Sequence, residues 1–397
     1  MVTGKKAPVA RLHPNIKGLY GAQSSGAALV AFNALAYESY EHKQGDNAPV
    51  SEYAAFAYTT ALNTLLASER NYLRIGEMTV VFWAEGADED NEDVFGDIFS
   101  SENKIIEDDD LQGFFEKVSQ GQAFSVKDYL VKPGNKFYIL GLSPNAARIS
   151  VRFFFVDTFG DFIRNYEQYF REFEIIKPSF DNRVNVPLWQ ILQETANKNS
   201  KDKAASPLLA GAVLRSILSG IKYPEALYQN TILRAKADQD NPDKNITKIS
   251  RIKAAIIKAC LLRNYKNNEE VVTVALNEEC KKVPYVLGRL FAVLEDLQEK
   301  ANPGINSTIK DRYFNSACAT PSVTFPLLTK LANTHLKKIS AQRGTVIYFE
   351  KLIGELMNKL EVENNAMPAR LSLPEQGEFV LGYYHQVQKR FEKREEK

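Results

Sequence analysis

Gly21-Ala-Gln-Ser-Ser-Gly26 has the glycine spacing of a phosphate-binding loop. A loop that hydrolyses nucleotides follows its second glycine with a lysine for the terminal phosphates and a hydroxyl for magnesium, and here Ala27 and Ala28 stand in those places. The serines fall as Gln-Ser-Ser-Gly, so the Gly-x-Ser-x-Gly nucleophile pattern is not met either. What remains is a turn whose backbone N–H groups, with the Ser24 and Ser25 hydroxyls, could cradle a phosphate oxygen without cleaving it. The Gln23 amide could meet a base edge. A plain structural turn fits the same residues.

Two further stretches carry chemistry suited to nucleic acid. From Lys244 to Lys266 the chain reads as a basic helix with no acid up to Asn268. Its periodicity puts Lys244, Lys248, Arg251 and Lys258 on one face, with Ile249, Ile252, Ile256 and Ile257 making an apolar one. Such a row of cations is the footprint of a phosphate backbone, and also of a merely solvated face. From Asn302 to Pro321, Lys310, Arg312, Tyr313 and Asn315 form a basic, aromatic and amide group near a helix end. That set suits a backbone contact plus base stacking, or the rim of an aromatic core.

Nothing comparable points to catalysis. The four histidines are dispersed without metal-binding spacing, and Cys260, Cys280 and Cys318 form no CxxC pair, so neither a metal nor a cofactor is expected. Two buried carboxylates leave no local trace in a sequence, so a hydrolase site in the first half stays open as the alternative. Net charge is +1, which excludes a chain-wide basic character. No apolar run nears the ~20 residues that span a bilayer. The unpaired cysteines and the lack of a signal peptide at the N-terminus suit a cytoplasmic protein.

The elements that must position these residues differ between the halves. Ser51–Arg70 reads as a helix capped by Ser51, and Met78–Ala84 as a buried strand. Glu85–Asp110 holds twelve acids against one lysine and reads as a solvated excursion. Lys136–Leu142 and Arg148–Phe159 read as a hairpin covered by a helix from Asp161. From about Pro187 only helical signals remain, namely Pro207–Leu218, Pro224–Ala237, Ile246–Tyr265, Val271–Ala301, Pro321–Ile339, Gly344–Leu360 and Pro374–Lys393. The expected class is α+β. A mixed part with a short antiparallel sheet (1–185) precedes an all-α bundle (186–397).

Long runs give the chain a more specific resemblance. GAQSSGAALVAFNALAYESY, GDNAPVSEYAAFAYTTALNTLL, TVVFWA, FYILGLSPNAARISVRFF, NPGINSTIKDRYFNSACATP and LPEQGEFVLGYYHQ span nearly its whole length. In these it resembles the large subunit of the type I-C CRISPR surveillance complex, type I-C Cascade. Members of that family carry a further N-terminal domain ahead of the VTGKKAP segment, whereas this sequence begins at Met1-Val2-Thr3. In that family the N-terminal domain takes a large part in reading the protospacer-adjacent motif, so the resemblance implies that this sequence alone would not complete that reading.

The resemblance implies a non-catalytic DNA-binding subunit. Its partners would be the other Cascade subunits with their guide RNA, the target duplex, the displaced single strand and a helicase–nuclease. Guide–target pairing would supply sequence specificity, while protein supplies motif engagement and duplex opening. It makes Gln23, Ser24, Ser25, Asn33, Tyr37, Tyr40, Gln44 and Asn47 candidate contacts to DNA, beside Lys248, Arg251, Lys258, Lys310, Arg312 and Tyr313. Residues 271–397 resemble the small subunit, which this family can make by internal initiation. None of the four methionines heads that array, so such a start would be a non-AUG codon, for instance at Val271, Val272 or Val274.

Overall fold

A computed structural model describes residues 4–99, 111–126, 128–181, 183, 185–199, 207–266, 270–360 and 367–391. The α+β expectation holds. The chain forms two compact units, Met1–Glu167 with Ser206–Ser219, and Gln168–Ala205 with Gly220–Lys397.

The first unit is built on a four-stranded antiparallel sheet. Its elements are α1 (Glu52–Ala67), β1 (Tyr72–Ile75), β2 (Met78–Ala84), α2 (Glu89–Phe99), α3 (Leu111–Ser119), β3 (Phe124–Val126), β4 (Tyr129–Val131), β5 (Lys136–Asn145) and β6 (Arg148–Thr158). Helix α4 (Phe159–Phe173) follows, and the division between units falls within it. The sheet order is β1-β2-β5-β6, with β3 and β4 forming a separate ribbon. Ser51 caps α1 by accepting the Ala54 N–H at 3.2 Å, as its sequence position suggests. The hairpin turns tightly, Asn145 pairing with Arg148 and Ala146 adopting φ 53°. Gly141 is required beside the bulge in β6, because a Cβ there would lie 2.7 Å from the Phe153 ring.

The acidic excursion is in part a correction. Glu89–Phe99 is the helix α2, which buries Val94, Phe95 and Ile98. Glu92 is buried with them because its carboxylate accepts the Ala84 N–H at 3.0 Å and the Asn71 amide at 2.7 Å, closing the end of β2. Residues 100–110 lie outside the described residues.

The second unit is helical. It contains α5 (Leu188–Thr195), α7 (Glu225–Ala237), α8 (Arg251–Tyr265), α9 (Val283–Ala301), α10 (Ile309–Ala319), α11 (Pro321–Lys338), α12 (Arg343–Lys359) and α13 (Leu373–Lys389), while α6 (Pro207–Ser219) belongs to the first unit. Helices α9 and α13 meet through glycines: a Cβ on Gly288 would lie 2.0 Å from the Phe379 carbonyl, and one on Gly382 would lie 2.1 Å from that of Tyr285. Phe291, Phe314, Phe379 and Tyr383 interlock edge-to-face around this contact. Helix α13 also packs on α7 and α8, which lie outside 271–397, and Val271 and Val272 are buried.

Candidate nucleic-acid interface

The opening loop is an exposed excursion pinned at its base. Ile16 and Ala27 bridge in antiparallel fashion, and Gly26 takes φ +91° where a Cβ would press to 2.8 Å from the Ile16 carbonyl. Within the loop the Gly26 N–H turns back to the Gln23 carbonyl at 2.9 Å, and that of Ala22 to Leu19 at 3.2 Å. The N–H groups of Gln23, Ser24 and Ser25 take no partner among the described residues, and their side chains are exposed. Three adjacent N–H donors and two hydroxyls on exposed residues are therefore left without a partner among the described residues, as in the half of a phosphate loop that binds without hydrolysing.

Asn33 and Tyr37 join the sheet through a residue the sequence reading did not single out. Arg148, first in β6, donates to the Asn33 amide oxygen and lays its guanidinium 4.1 Å from the centre of the Tyr37 ring. The Ala28–Arg148 bridge brings these segments together. The signal was faint, since Arg148 read only as a hairpin residue. Tyr40 is 94 % exposed at φ 53°. Asn47 works differently. Its side chain accepts the Ser39 N–H at 2.9 Å and donates to the His42 and Gln44 carbonyls at 3.0 Å, so it staples its own turn. Gln44, at φ 48°, is half-buried in that turn. Gly45 needs its missing side chain there, because a Cβ would meet the Ala10 carbonyl at 1.9 Å.

The basic helix requires a correction. Helix α8 starts at Arg251 after the cap Ser250, so Lys244 and Lys248 precede it. The cations of α8, and Lys248 just before it, point inward. Lys248, 1 % exposed, donates at 2.8 Å to the Lys236 and Asp238 carbonyls at the end of α7. Arg251 holds Asp181 at 3.0 Å and the Arg183 carbonyl at 2.7 Å. Lys258 reaches the Glu172 and Arg171 carbonyls at 3.0 and 3.3 Å, closing the last turn of α4. Lys253 and Arg263 are likewise buried, against Asp238 at 2.7 Å and Glu172 at 2.8 Å. These cations satisfy carboxylates and helix-end carbonyls from distant elements, so the open basic face expected of Lys248, Arg251 and Lys258 is not formed.

Burial holds the Lys258 ammonium down to about 8 from the ordinary 10.5. Between those values the unfolded chain binds more protons than the folded one, so this lysine makes stability rise with pH across that window. Measured by urea unfolding, the stability difference between the parent and Lys258→Met should grow by up to about 1.4 kcal/mol per pH unit between pH 8 and 10.5. A pH-independent difference would contradict this.

The third group divides. Lys310 is paired with Asp240 at 2.7 Å and lies 3.6 Å from Glu295. Arg312 and Asn315 are exposed on α10, and Tyr313 is half-buried. These three remain on a solvent face.

A family model described as CRISPR-associated protein (Cas_Csd1) matches residues 1–391, across both units. The chain belongs to this family of CRISPR-associated proteins. No curated protein gives a significant match. No described helix is long and apolar enough to cross a membrane. In this CRISPR-associated protein the exposed loop of the first unit keeps hydrogen-bonding capacity that no described residue uses. A carboxylate pair also lies in that unit: Asp157 is raised by burial and a bond to Asp161, and Asp161 is lowered chiefly by the Thr158 hydroxyl. Thr158 also caps the start of α4 through the Asp161 N–H at 3.2 Å, which gives the pair a structural role.

Proposed function

We propose that this CRISPR-associated protein is the non-catalytic, DNA-binding large subunit of a type I-C surveillance complex in the cytoplasm. It would sit with the guide-bearing Cascade subunits, assist engagement of the protospacer-adjacent motif and duplex opening, keep the displaced strand and help recruit the helicase–nuclease. The observation that carries this reading is the exposed cluster of Gln23, Ser24 and Ser25, with unspent N–H groups and hydroxyls, in the unit where Arg148 presents Asn33 and Tyr37. Phosphate contacts would position the duplex, and the amides and tyrosines suit base edges and faces. Tyr40 and Arg312 are secondary candidates on exposure, with the half-buried Tyr313 beside Arg312.

The test is duplex affinity in the assembled complex at matched salt. Replacing Gln23, Ser24 and Ser25 together by alanine should weaken target-duplex binding while leaving the melting temperature unchanged, at about 1–3 kcal/mol per lost contact to a charged or base group. Arg148→Ala should weaken it comparably, because it releases both Asn33 and Tyr37. Parental affinity for both variants would return the loop to a structural turn.

A further inference from the structure

The outer sheet of the first unit carries a row of rings that the loop interface does not use. Directly opposed residues share a face, and the register sets Trp83 beside Tyr138 and Tyr138 beside Val156, with Phe154 on the diagonal. The Trp83 and Tyr138 rings lie 5.2 Å apart at 5°, and Phe154 is 6.2 and 6.5 Å from them at 25° and 21°. On the same face, Val81, Leu142 and Ile149 are covered by Leu62, Leu66 and the segment around Ile16. The rows toward Trp83 are only partly covered: Trp83 and Leu140 are half-buried and pack against the edge of this cluster. Phe154 is 52 % exposed and Val156 is 49 % exposed.

Two features say what this face receives. Lys136 and Arg152 flank the rings, both exposed, and neither makes an ion pair among the described residues. A partner that covers apolar rings and also brings anions matches them. The second feature is continuity. Arg148 and Phe154 belong to one strand, about 20 Å apart at 3.4 Å per residue, or roughly six stacked nucleotides. A strand leaving the Arg148 end would run over the rings.

We infer that Trp83, Tyr138 and Phe154 form a stacking platform for unpaired bases of single-stranded DNA, with Arg152 and Lys136 meeting its phosphates. The inference rests on the DNA-binding reading above and assigns it a second, single-strand-specific subsite. Sheet-borne rings bind any base through its face, so the platform is sequence-tolerant. A duplex, whose bases are already stacked, does not use it.

The chain has two tryptophans, so full-length protein carrying Trp189→Phe reports on Trp83 alone. The probe is a labelled fifteen-nucleotide oligo-dT, followed by anisotropy and by tryptophan emission. Saturable quenching of Trp83 is expected, and none with a duplex of equal length. Tyr138→Ala and Phe154→Ala should each weaken binding by about five- to a hundred-fold. Arg152→Gln should shrink the slope of log affinity against log salt by roughly 0.7. Phe154 is half-exposed, so its variant should melt with the parent, which separates lost binding from lost folding. Oligo-dT binding that leaves Trp83 emission unchanged and tolerates both ring variants would overturn the platform, leave the loop interface standing, and assign the face to a protein partner. No oligo-dT binding at all would overturn the platform, while the loop interface is judged separately on duplex affinity in the complex.

Discussion

Alanine at Gly288 or at Gly382 is expected to destabilise the helical unit by about 3 kcal/mol, the upper end for overpacking a closed core. The added methyl has nowhere to go: its carbon would lie 2.0 Å from the Phe379 carbonyl in the first case and 2.1 Å from that of Tyr285 in the second. Both obstacles are backbone, so a rotamer change cannot relieve them and α9 must separate from α13. The interlocked rings of Phe291, Phe314, Phe379 and Tyr383 would lose their packing together. At this unit's size the melting temperature should fall by roughly 6–12 °C. Gly354 is the control, since no atom lies within 4 Å of its would-be Cβ. Gly354→Ala should leave stability unchanged or raise it by up to about 1 kcal/mol through helix propensity. Equal melting of all three variants would contradict the close contact.

Glu172→Leu is expected to cost about 3–5 kcal/mol, because it removes one partner of a buried ion pair. The carboxylate sits 2.8 Å from the Arg263 guanidinium and accepts the Tyr223 hydroxyl at 2.7 Å, and the arginine side chain is 4 % exposed. Removing the acid takes away the carboxylate that Glu172 brings to the buried Arg263. Replacing both partners, as Glu172→Leu with Arg263→Met, should recover most of the loss, since a well-packed apolar pair removes the desolvation cost as well as the attraction. Urea unfolding of the single and double variants gives the comparison. A single variant as stable as the parent would show that the pair contributes nothing.

The particular errors show which physics a sequence displays. Strand β2 was legible to the residue, because a seven-residue apolar run dominated by Thr79, Val80, Val81, Phe82 and Trp83 is too short for a helix and rich in strand formers. The cap of α1 was legible for the same local reason. Helix α2 was hidden, because its acids masked Val94, Phe95 and Ile98, whose spacing carries the fold. The cations of α8 misled most. Charge and periodicity along one helix reveal a basic row, but its partners lie on distant elements: the carboxylates of Asp181, Asp238 and Glu172, and main-chain carbonyls of Lys236, Asp238, Arg171 and Glu172, which have no side-chain signature. Arg148 was missed in reverse, since its partners Asn33 and Tyr37 precede it by more than a hundred residues. The loop glycines were legible as a turn. That three of the loop's N–H groups stay unspent was not, because it depends on which carbonyls the fold brings within reach.

DNA is expected to meet the first unit through its opening loop and the Arg148 cluster, and not through α8. Photo-crosslinking tests it most directly. The full chain, assembled with its companion subunits and guide RNA, would be bound to a target duplex carrying a photoreactive base at the opening point. Crosslinked peptides would then be located by mass spectrometry. Crosslinks are expected within residues 18–40 and none within residues 244–266. Crosslinks confined to residues 244–266 would contradict it.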